Sequence, residues 1–257
     1  MQFDYIILGG TGLVGSAVVE YLRFLGADCL SLHSKNYDQY IGSSAKVVIN
    51  CNGNSYRFKA NQDPKWDFGA SVDSVQRSLF DFKTDMYIYM STIDVYNHRQ
   101  NPELNHENIP IDYLKLDAYG FHKWVAERLV EKYARNALIL RLGTVIGNGL
   151  KKGPIFDLLN QNPVFMSLDS KISLVDTQTI ARIVAFLIES GVKREIFNIT
   201  GHGGVKLRDL QPMVPFQFKT QAESLHQYDI SNTKIHALYP MPTSLETAQR
   251  YIQSRQA

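Results

Sequence analysis

The chain has 257 residues, 44% of them hydrophobic and 20% charged, with a net charge of +2. That is enough chain for a full core, and so small a charge gives no footing for nucleic acid or an anionic membrane surface. No apolar run reaches transmembrane length, and Met1 leads almost directly into a strand pattern without a signal-peptide layout, so a cytoplasmic protein is expected.

Residues 3–8 are an apolar run that stops at Gly9-Gly10-Thr11-Gly12-Leu13-Val14-Gly15. Residues 13–25 follow with Val14, Val18, Leu22 and Leu25 on one stripe, and Gly26 is a helix stop. This reads as strand, tight turn, helix. Glycine permits the turn and lets a phosphate approach the backbone, while the helix start offers unpaired N–H groups to an anion. The spacing is Gly-x-x-Gly-x-x-Gly, and by itself it leaves a purely structural turn open. Cys29 to Leu32 is a second strand. In a dinucleotide fold the next residues meet the adenosine ribose. Here they are His33-Ser34-Lys35-Asn36, with no acid for a free 2'-hydroxyl. Ser34 and Lys35 can meet a 2'-phosphate, or Lys35 is a solvated loop residue.

Residues 37–46 are too short and polar for a full crossover helix. Lys46 to Cys51 is a strand ending in Asn50-Cys51-Asn52-Gly53, whose small and polar residues let a flat cofactor pass or simply turn the chain. Residues 54–69 read as loop, with Asp63-Pro64 marking a turn or a helix start. Residues 71–82 keep Val72, Val75, Leu79 and Phe82 at helical period. Tyr87 to Ser91 is a strand, residues 97–112 a surface loop over the sheet edge, and Tyr119 to about Ala134 a helix. Residues 137–142 are a further strand. Alternation of this kind predicts an α/β fold, a doubly wound, mostly parallel Rossmann-like sheet with ligands at the carboxyl ends of its strands.

The pattern changes after residue 149. Residues 1–149 are expected to form a dinucleotide-binding core, and 150–257 a small C-terminal substrate lobe, with 172–200 completing the core through a strand, a long apolar helix and another strand. Cys29 and Cys51 read as buried free thiols of a reducing compartment. His98, His106 and His122 have no ligand spacing with acids or cysteines, and no metal site is expected.

Tyr119 and Lys123 stand four apart, on one face of a helix. A nearby ammonium favours the phenolate and lowers the phenol pKa. Such a tyrosine can protonate a carbonyl oxygen as it is reduced, or take a proton from an alcohol as it is oxidised. Thr92, at a strand end, can hold the same oxygen. Alone, this spacing is also common by chance.

In combination, the glycine turn, Asn50-Cys51-Asn52-Gly53, Ser91-Thr92-Ile93-Asp94-Val95-Tyr96 and Tyr119-Gly120-Phe121-His122-Lys123 resemble the short-chain dehydrogenase/reductase superfamily. Within it the chain is similar to the extended group, the NAD-dependent epimerase/dehydratase family, over roughly residues 3–205. The resemblance implies that Gly9, Gly12 and Gly15 surround a pyrophosphate, with Leu13 and Val14 beside it. Asn50 and Gly53 would line the cofactor path, and His33, Ser34 and Lys35 would flank the ribose. Thr92, Tyr119 and Lys123 would form the catalytic group, Lys123 also binding the nicotinamide ribose. His33 stands where NAD-preferring members have an acid, which favours NADP over NAD. Thr144 stands where the family often has the Asn that touches a nucleotide-sugar phosphate. Ile93 replaces the first acid of the dehydratases, which disfavours elimination of water.

The resulting expectation is an NAD(P)-dependent oxidoreductase acting on a keto or hydroxy carbon of a sugar or nucleotide-sugar. The alternatives are a nucleotide-sugar epimerase with tightly bound NAD and a non-catalytic dinucleotide sensor. A homodimer through the 71–82 and Tyr119 helices is what the resemblance implies.

Overall fold

The first apolar run is strand β1 (Gln2–Leu8), in which Ile6, Ile7 and Leu8 are all buried, as a strand covered on both faces requires. In the computed structural model, which describes every residue except Ser55, Glu223 and Ala257 and the side chain of Gln256, it runs into helix α1 (Leu13–Phe24). Gly26 ends that helix at φ +84°, a left-handed position open to glycine. Strand β2 (Cys29–Leu32) follows. A single 3-10 turn, Tyr37–Tyr40, then replaces a crossover helix before β3 (Ser44–Asn50).

The next stretch departs from the expected loop. Residues 54–69 contain two short helices, α2 (Arg57–Gln62) and α3 (Pro64–Phe68). Each is too short to display an apolar period. The Asp63-Pro64 pair starts the second, for Asp63 caps it by accepting from Trp66 N and Pro64 sits in its first turn. From α3 the rod continues through a π-helical turn, Gly69–Asp73, into α4 (Ser74–Asp81).

Strand β4 (Lys83–Thr92), helix α5 (Ala118–Tyr133) and strand β5 (Ala137–Leu142) come next. With β9 (Glu195–Ile199) they complete a six-stranded sheet of order β2-β1-β3-β4-β5-β9. Strand β1 pairs in parallel with β2 and β3, and β3 in parallel with β4. The order reverses between β1 and β3, the position at which doubly wound sheets open a crevice. Register brings Leu8 opposite both Leu32 and Asn50, and Asn50 opposite Tyr89. The strand ends that carry the motifs therefore lie level.

The chain divides into two compact units. The first is Met1–Asn97, Pro110–Arg141 and Gln178–Phe197. It holds most of the six-stranded sheet, α1 to α5 and most of α7 (Thr177–Glu189). The second is His98–Ile109, Leu142–Thr177 and Asn198–Ala257. In it, β6 (Thr144–Ile146) pairs in parallel with β8 (Leu174–Asp176), and β7 (Lys171–Ile172) runs antiparallel to β10 (Val205–Lys206). Its helices are α6 (Pro154–Leu159), α8 (Thr233–His236) and α9 (Ser244–Gln256). Residues 98–109, part of the expected surface loop, are tied into this unit. Buried Asn105 donates to the carbonyl of Asp229 at 2.8 Å and accepts from Ser231 N at 2.8 Å. Sequence shows such a segment only as polar, because its partners lie more than a hundred residues away.

Candidate active site

The glycine turn closes through its own backbone. Gly9 adopts φ +71°, and its carbonyl accepts from Gly12 N at 2.9 Å. A Cβ on Gly15 would collide with the Gly9 carbonyl oxygen, so only glycine lets α1 start this close to the turn. Gly12 is the N-cap of α1, with no side-chain cap and no acid in the first turn. A Cβ at Gly12 would meet only the Gly9 carbonyl, at 3.2 Å. The uncapped, positively polarised end of a three-turn helix, next to a backbone without side chains, fits a phosphate-type anion. Leu13 and Val14 form the first turn of that helix.

Beside it, His33 N donates to Asn36 Oδ1 at 2.8 Å, and Lys35 N to His33 Nδ1 at 3.2 Å. Asn36 thus pins the loop after β2, leaving the Ser34 and Lys35 side chains exposed. Asn50 turns inward instead. It is fully buried, donating to the Tyr87 hydroxyl at 2.7 Å and accepting from Asn52 N at 2.8 Å. Its side chain shapes the turn, and what the turn presents is backbone. Gly53, at φ +137°, lies against Lys123, for a Cβ there would stand 3.1 Å from Lys123 Nζ.

Strand β4 delivers Thr92 and α5 delivers Tyr119 and Lys123. The Thr92 side chain lies near enough to the Tyr119 phenol to act on its pKa, lowering it, and Thr92 Oγ1 donates to Asp94 Oδ2 at 3.4 Å. Thr92 Oγ1 also accepts from Asp94 N at 3.2 Å, which starts the 3-10 turn Ile93–Val95. Lys123 is buried. It donates to the Met90 carbonyl at 3.3 Å, and its ammonium lies 5.1 Å from the centre of the Tyr89 ring. The start of α5 is set by Asp117, which accepts from Gly120 N at 2.9 Å. Arg57 of α2 grips the same Asp117 at 2.6 Å and reaches Asp94 at 3.3 Å. Gly120 passes so close to the 3-10 turn that a Cβ would stand 2.6 Å from the Asp94 carbonyl oxygen.

The sequence assigns Lys123 the task of lowering the Tyr119 pKa, and in this fold burial is the largest influence on the phenol. Burial pushes it well above the usual tyrosine range, and the Asp94 carboxylate adds to that, against the lowering effect of Thr92. Lys123 moves too, with burial pushing it down to about 8. At neutral pH the site therefore holds a protonated phenol and a lysine still present as its ammonium.

Behind this group lie charged residues that sequence reasoning missed. Glu127, one turn after Lys123, is fully buried and bonded to Arg141 at 2.7 and 2.9 Å and to Ser91 at 2.5 Å. Arg141 continues to the Tyr96 hydroxyl at 2.8 Å. Asp67 of α3 is buried against His122 at 2.7 Å. The only sequence signal for them is a charged residue inside an apolar stretch, as with Arg141 among leucines. Among the described residues, no group of three or more His, Cys, Asp and Glu is placed to hold a metal.

The sequence profile of the NAD dependent epimerase/dehydratase family matches residues 5–200. The chain belongs to that family. No curated protein matches the chain in sequence. Among solved structures, a UDP-galactose 4-epimerase is similar at a TM-score of 0.80 and 16% identity, covering 100% of this chain and 99% of that one. The UDP-glucuronic acid 4-epimerase from Bacillus cereus, in complex with UDP-glucuronic acid and NAD, gives 0.78 and 18%, covering 99% and 100%. RMD from Pseudomonas aeruginosa, complexed with NADPH, gives 0.79 and 18%, covering 98% and 100%. At these identities the likeness establishes the fold of the family member. No helix among the described residues is long and apolar enough to cross a membrane.

Proposed function

We propose that this member of the epimerase/dehydratase family is an NAD(P)-dependent nucleotide-sugar epimerase, working at a hydroxyl-bearing carbon of the sugar. The observation that carries the proposal is the convergence of buried Thr92, at the carboxyl end of β4, with buried Tyr119 and Lys123, one turn apart on α5, Lys123 lying beside Gly53. A bound nicotinamide dinucleotide supplies reversible two-electron chemistry at the sugar carbon and, when oxidised, a positive charge. Gly9, Gly12, Leu13, Val14 and Gly15 would hold its pyrophosphate, and Gly53 and Lys123 its nicotinamide ribose. His33, Ser34 and Lys35 would flank its adenosine ribose.

Tyr119 takes the proton of the sugar hydroxyl in the oxidising half and returns it to the ketone oxygen in the reducing half. As a donor it is ready, because burial keeps the proton on Oη. As an acceptor it needs positive charge nearby, and the Lys123 ammonium is the group placed to give it. Thr92 Oγ1 holds the same sugar oxygen. Ile93 is buried and carries no acid, so elimination of water lacks a proton donor there.

The comparisons weigh toward the epimerase over a simple reductase, and NAD accompanies the 4-epimerase from Bacillus cereus. The exposed Lys35 keeps NADP within the test, and NADPH accompanies RMD. A homodimer through α4 and α5 is part of the reading. Exposed Phe80 and Tyr133 meet edge-on at 5.1 Å on that face, and light scattering after gel filtration checks it. The free thiols Cys29 and Cys51 suit a cytoplasmic location.

The test is to release and identify any dinucleotide retained by the purified protein, then assay UDP-sugars with none added. Retained NAD with turnover supports the epimerase. Turnover only with added NADPH supports the reductase, and binding without turnover a sensor. Tyr119→Phe is expected to cut kcat by about 10²–10⁴-fold with dinucleotide retention unchanged. Equal loss of both would remove Tyr119 from the acid–base role.

A further inference from the structure

Helix α2 sends two side chains to the start of α5. Arg57 and Asn61 stand four apart on it and share a face. Arg57 Nε donates to Asp117 Oδ2 at 2.7 Å, and its Nη2 lies 2.6 Å from the same oxygen. Asn61 Nδ2 donates to that oxygen at 3.3 Å, and its Oδ1 accepts from Tyr119 N at 3.3 Å. The third guanidinium nitrogen of Arg57, Nη1, lies 3.3 Å from Asp94 Oδ1. Asp94 in turn accepts from Thr92 Oγ1 at 3.4 Å, and its backbone N–H donates to that hydroxyl at 3.2 Å. One cation therefore touches a carboxylate from each of the two segments that carry Thr92 and Tyr119. The side chains of Arg57, Asp94 and Asp117 are 32%, 15% and 27% exposed, more withdrawn than the freely solvated pairs that contribute little.

We propose that Arg57 is a positioning residue of the site: by bridging Asp117, the cap of α5, to Asp94, in the turn after Thr92, it sets the separation of Tyr119 and Thr92. The assignment rests on the reading of those two as site residues. The bridge asks for an arginine. A planar fork of five donors reaches two carboxylates in fixed directions, whereas a lysine ammonium is one point of charge on a flexible stem. Each carboxylate passes the constraint to backbone beside a site residue. Asp117 holds the N–H of Gly120, next to Tyr119, and Asp94 is itself bonded to the Thr92 hydroxyl. The same two segments also touch through backbone, at Gly120 and the Asp94 carbonyl. Without the cation, the two carboxylates that share it are left to repel one another, which drives the segments apart. A residue that merely anchored α2 would need to grip only one of them.

The experiment is amide hydrogen exchange in the full chain without added dinucleotide, read residue by residue by NMR. Arg57→Lys keeps the charge and removes the fork. The amides of Asp94, Tyr119 and Gly120 donate to Thr92 Oγ1, Asn61 Oδ1 and Asp117 Oδ1. They should exchange about tenfold faster or more, while those of Ala126 and Val130, further along α5, keep their rates. If Arg57→Lys does not fold, Arg57→Gln with Asp94→Asn removes the cation together with one of the repelling charges, and the same local rise is expected. Unchanged rates in the folded variant overturn the proposal. So does a rise at Tyr119 and Gly120 that leaves Asp94 alone, for Arg57 would then serve the cap and bridge nothing. A uniform rise along the whole of α5 would reduce Arg57 to general stability. Where UDP-sugar turnover is measurable, Arg57→Lys should lower kcat by about ten- to a hundredfold with KM unchanged, and full activity would also overturn the proposal. The exchange measurement needs no turnover. A protein that turns over no UDP-sugar yet shows the local rise would keep the bridge and lose the proposed reaction.

Discussion

Gly120 does as much for the geometry of the site as the tyrosine before it. Its missing side chain lets α5 touch the Asp94 backbone, and this contact fixes where Tyr119 stands relative to Thr92. Gly120→Ala is therefore expected to cost about 1–3 kcal/mol of stability, as overpacking against backbone does, and to lower kcat more than dinucleotide affinity. Denaturant unfolding and steady-state kinetics read the two effects. Lys123 gives a second prediction, with a definite sign. Its pKa is about 8 in the fold and 10.5 in the open chain, so between those values the unfolded state binds more protons and stability rises with pH. Lys123→Met should remove that rise and stabilise the protein at pH 7 by about 1–3 kcal/mol, while abolishing activity. The gain should vanish as pH climbs from 8 toward 10.5. Melting curves across that window check it. Tyr119, Lys123 and Thr92 were readable in the sequence because a four-residue spacing and a strand end are local facts. The upward shift of Tyr119 was not, since it comes from burial and from a carboxylate on another element. Nor was Asp67, which meets His122 across 55 residues of sequence separation.

Helix α5 is held by a buried clamp as well as by its apolar face. Glu127 reaches across to Ser91, the residue before Thr92, and to Arg141, the penultimate residue of β5. Arg141 then extends to Tyr96, whose ring also lies under the guanidinium at 4.9 Å. Every charged atom of the pair has a partner on a different element, so the clamp fixes α5 against β4 and β5 together. Arg141→Met should destabilise by about 3–5 kcal/mol, because it leaves the buried Glu127 with Ser91 and the more exposed Arg128 at 3.3 Å in place of two short bonds. Replacing both members by apolar residues should recover most of that loss, and equilibrium unfolding of the single and double variants separates the cases. The helices α1 and α7 could be read from an apolar face at helical period, and α5 from the segment that begins at Tyr119. Helices α2 and α3, six and five residues long, offered too few positions for a period to show. The π-turn between α3 and α4 leaves no pattern that a 3.6-residue template detects.

The order β2-β1-β3-β4-β5-β9 puts Gly9, Gly53 and Thr92 at neighbouring strand ends around the reversal between β1 and β3. Alternation in the sequence predicts a parallel sheet, but it does not state which strand lies beside which. The sequence showed residues 37–46 to be too short and polar for a full crossover helix, and a single 3-10 turn stands there. For the intact molecule the measurable consequence is ligand-linked stability. A dinucleotide that binds only the folded state should raise stability by about 2.7 kcal/mol at a free concentration a hundredfold above its Kd. The rise should be larger for NAD than for NADP at equal concentration if the epimerase reading is correct. Calorimetric melting with each dinucleotide decides between them, and a reversed order would assign Lys35 to a 2'-phosphate.

The π-turn at Gly69–Asp73 fixes more than the course of a helix. Asp67 lies before it, while Val75 and Ser78, which face the core, lie after it. Regular winding advances each residue by roughly 100° and 1.5 Å. A π-turn takes up one residue more than ordinary winding, so removing one residue between 69 and 73 while the rod relaxes to regular helix should leave Asp67 opposite His122. Removing one from the regular turns of α4 has no such slack, and would rotate the residues ahead of the gap by about one step. The turn is thus the place in the rod where a chain of this fold can change length by one residue and keep the same side chain behind its lysine.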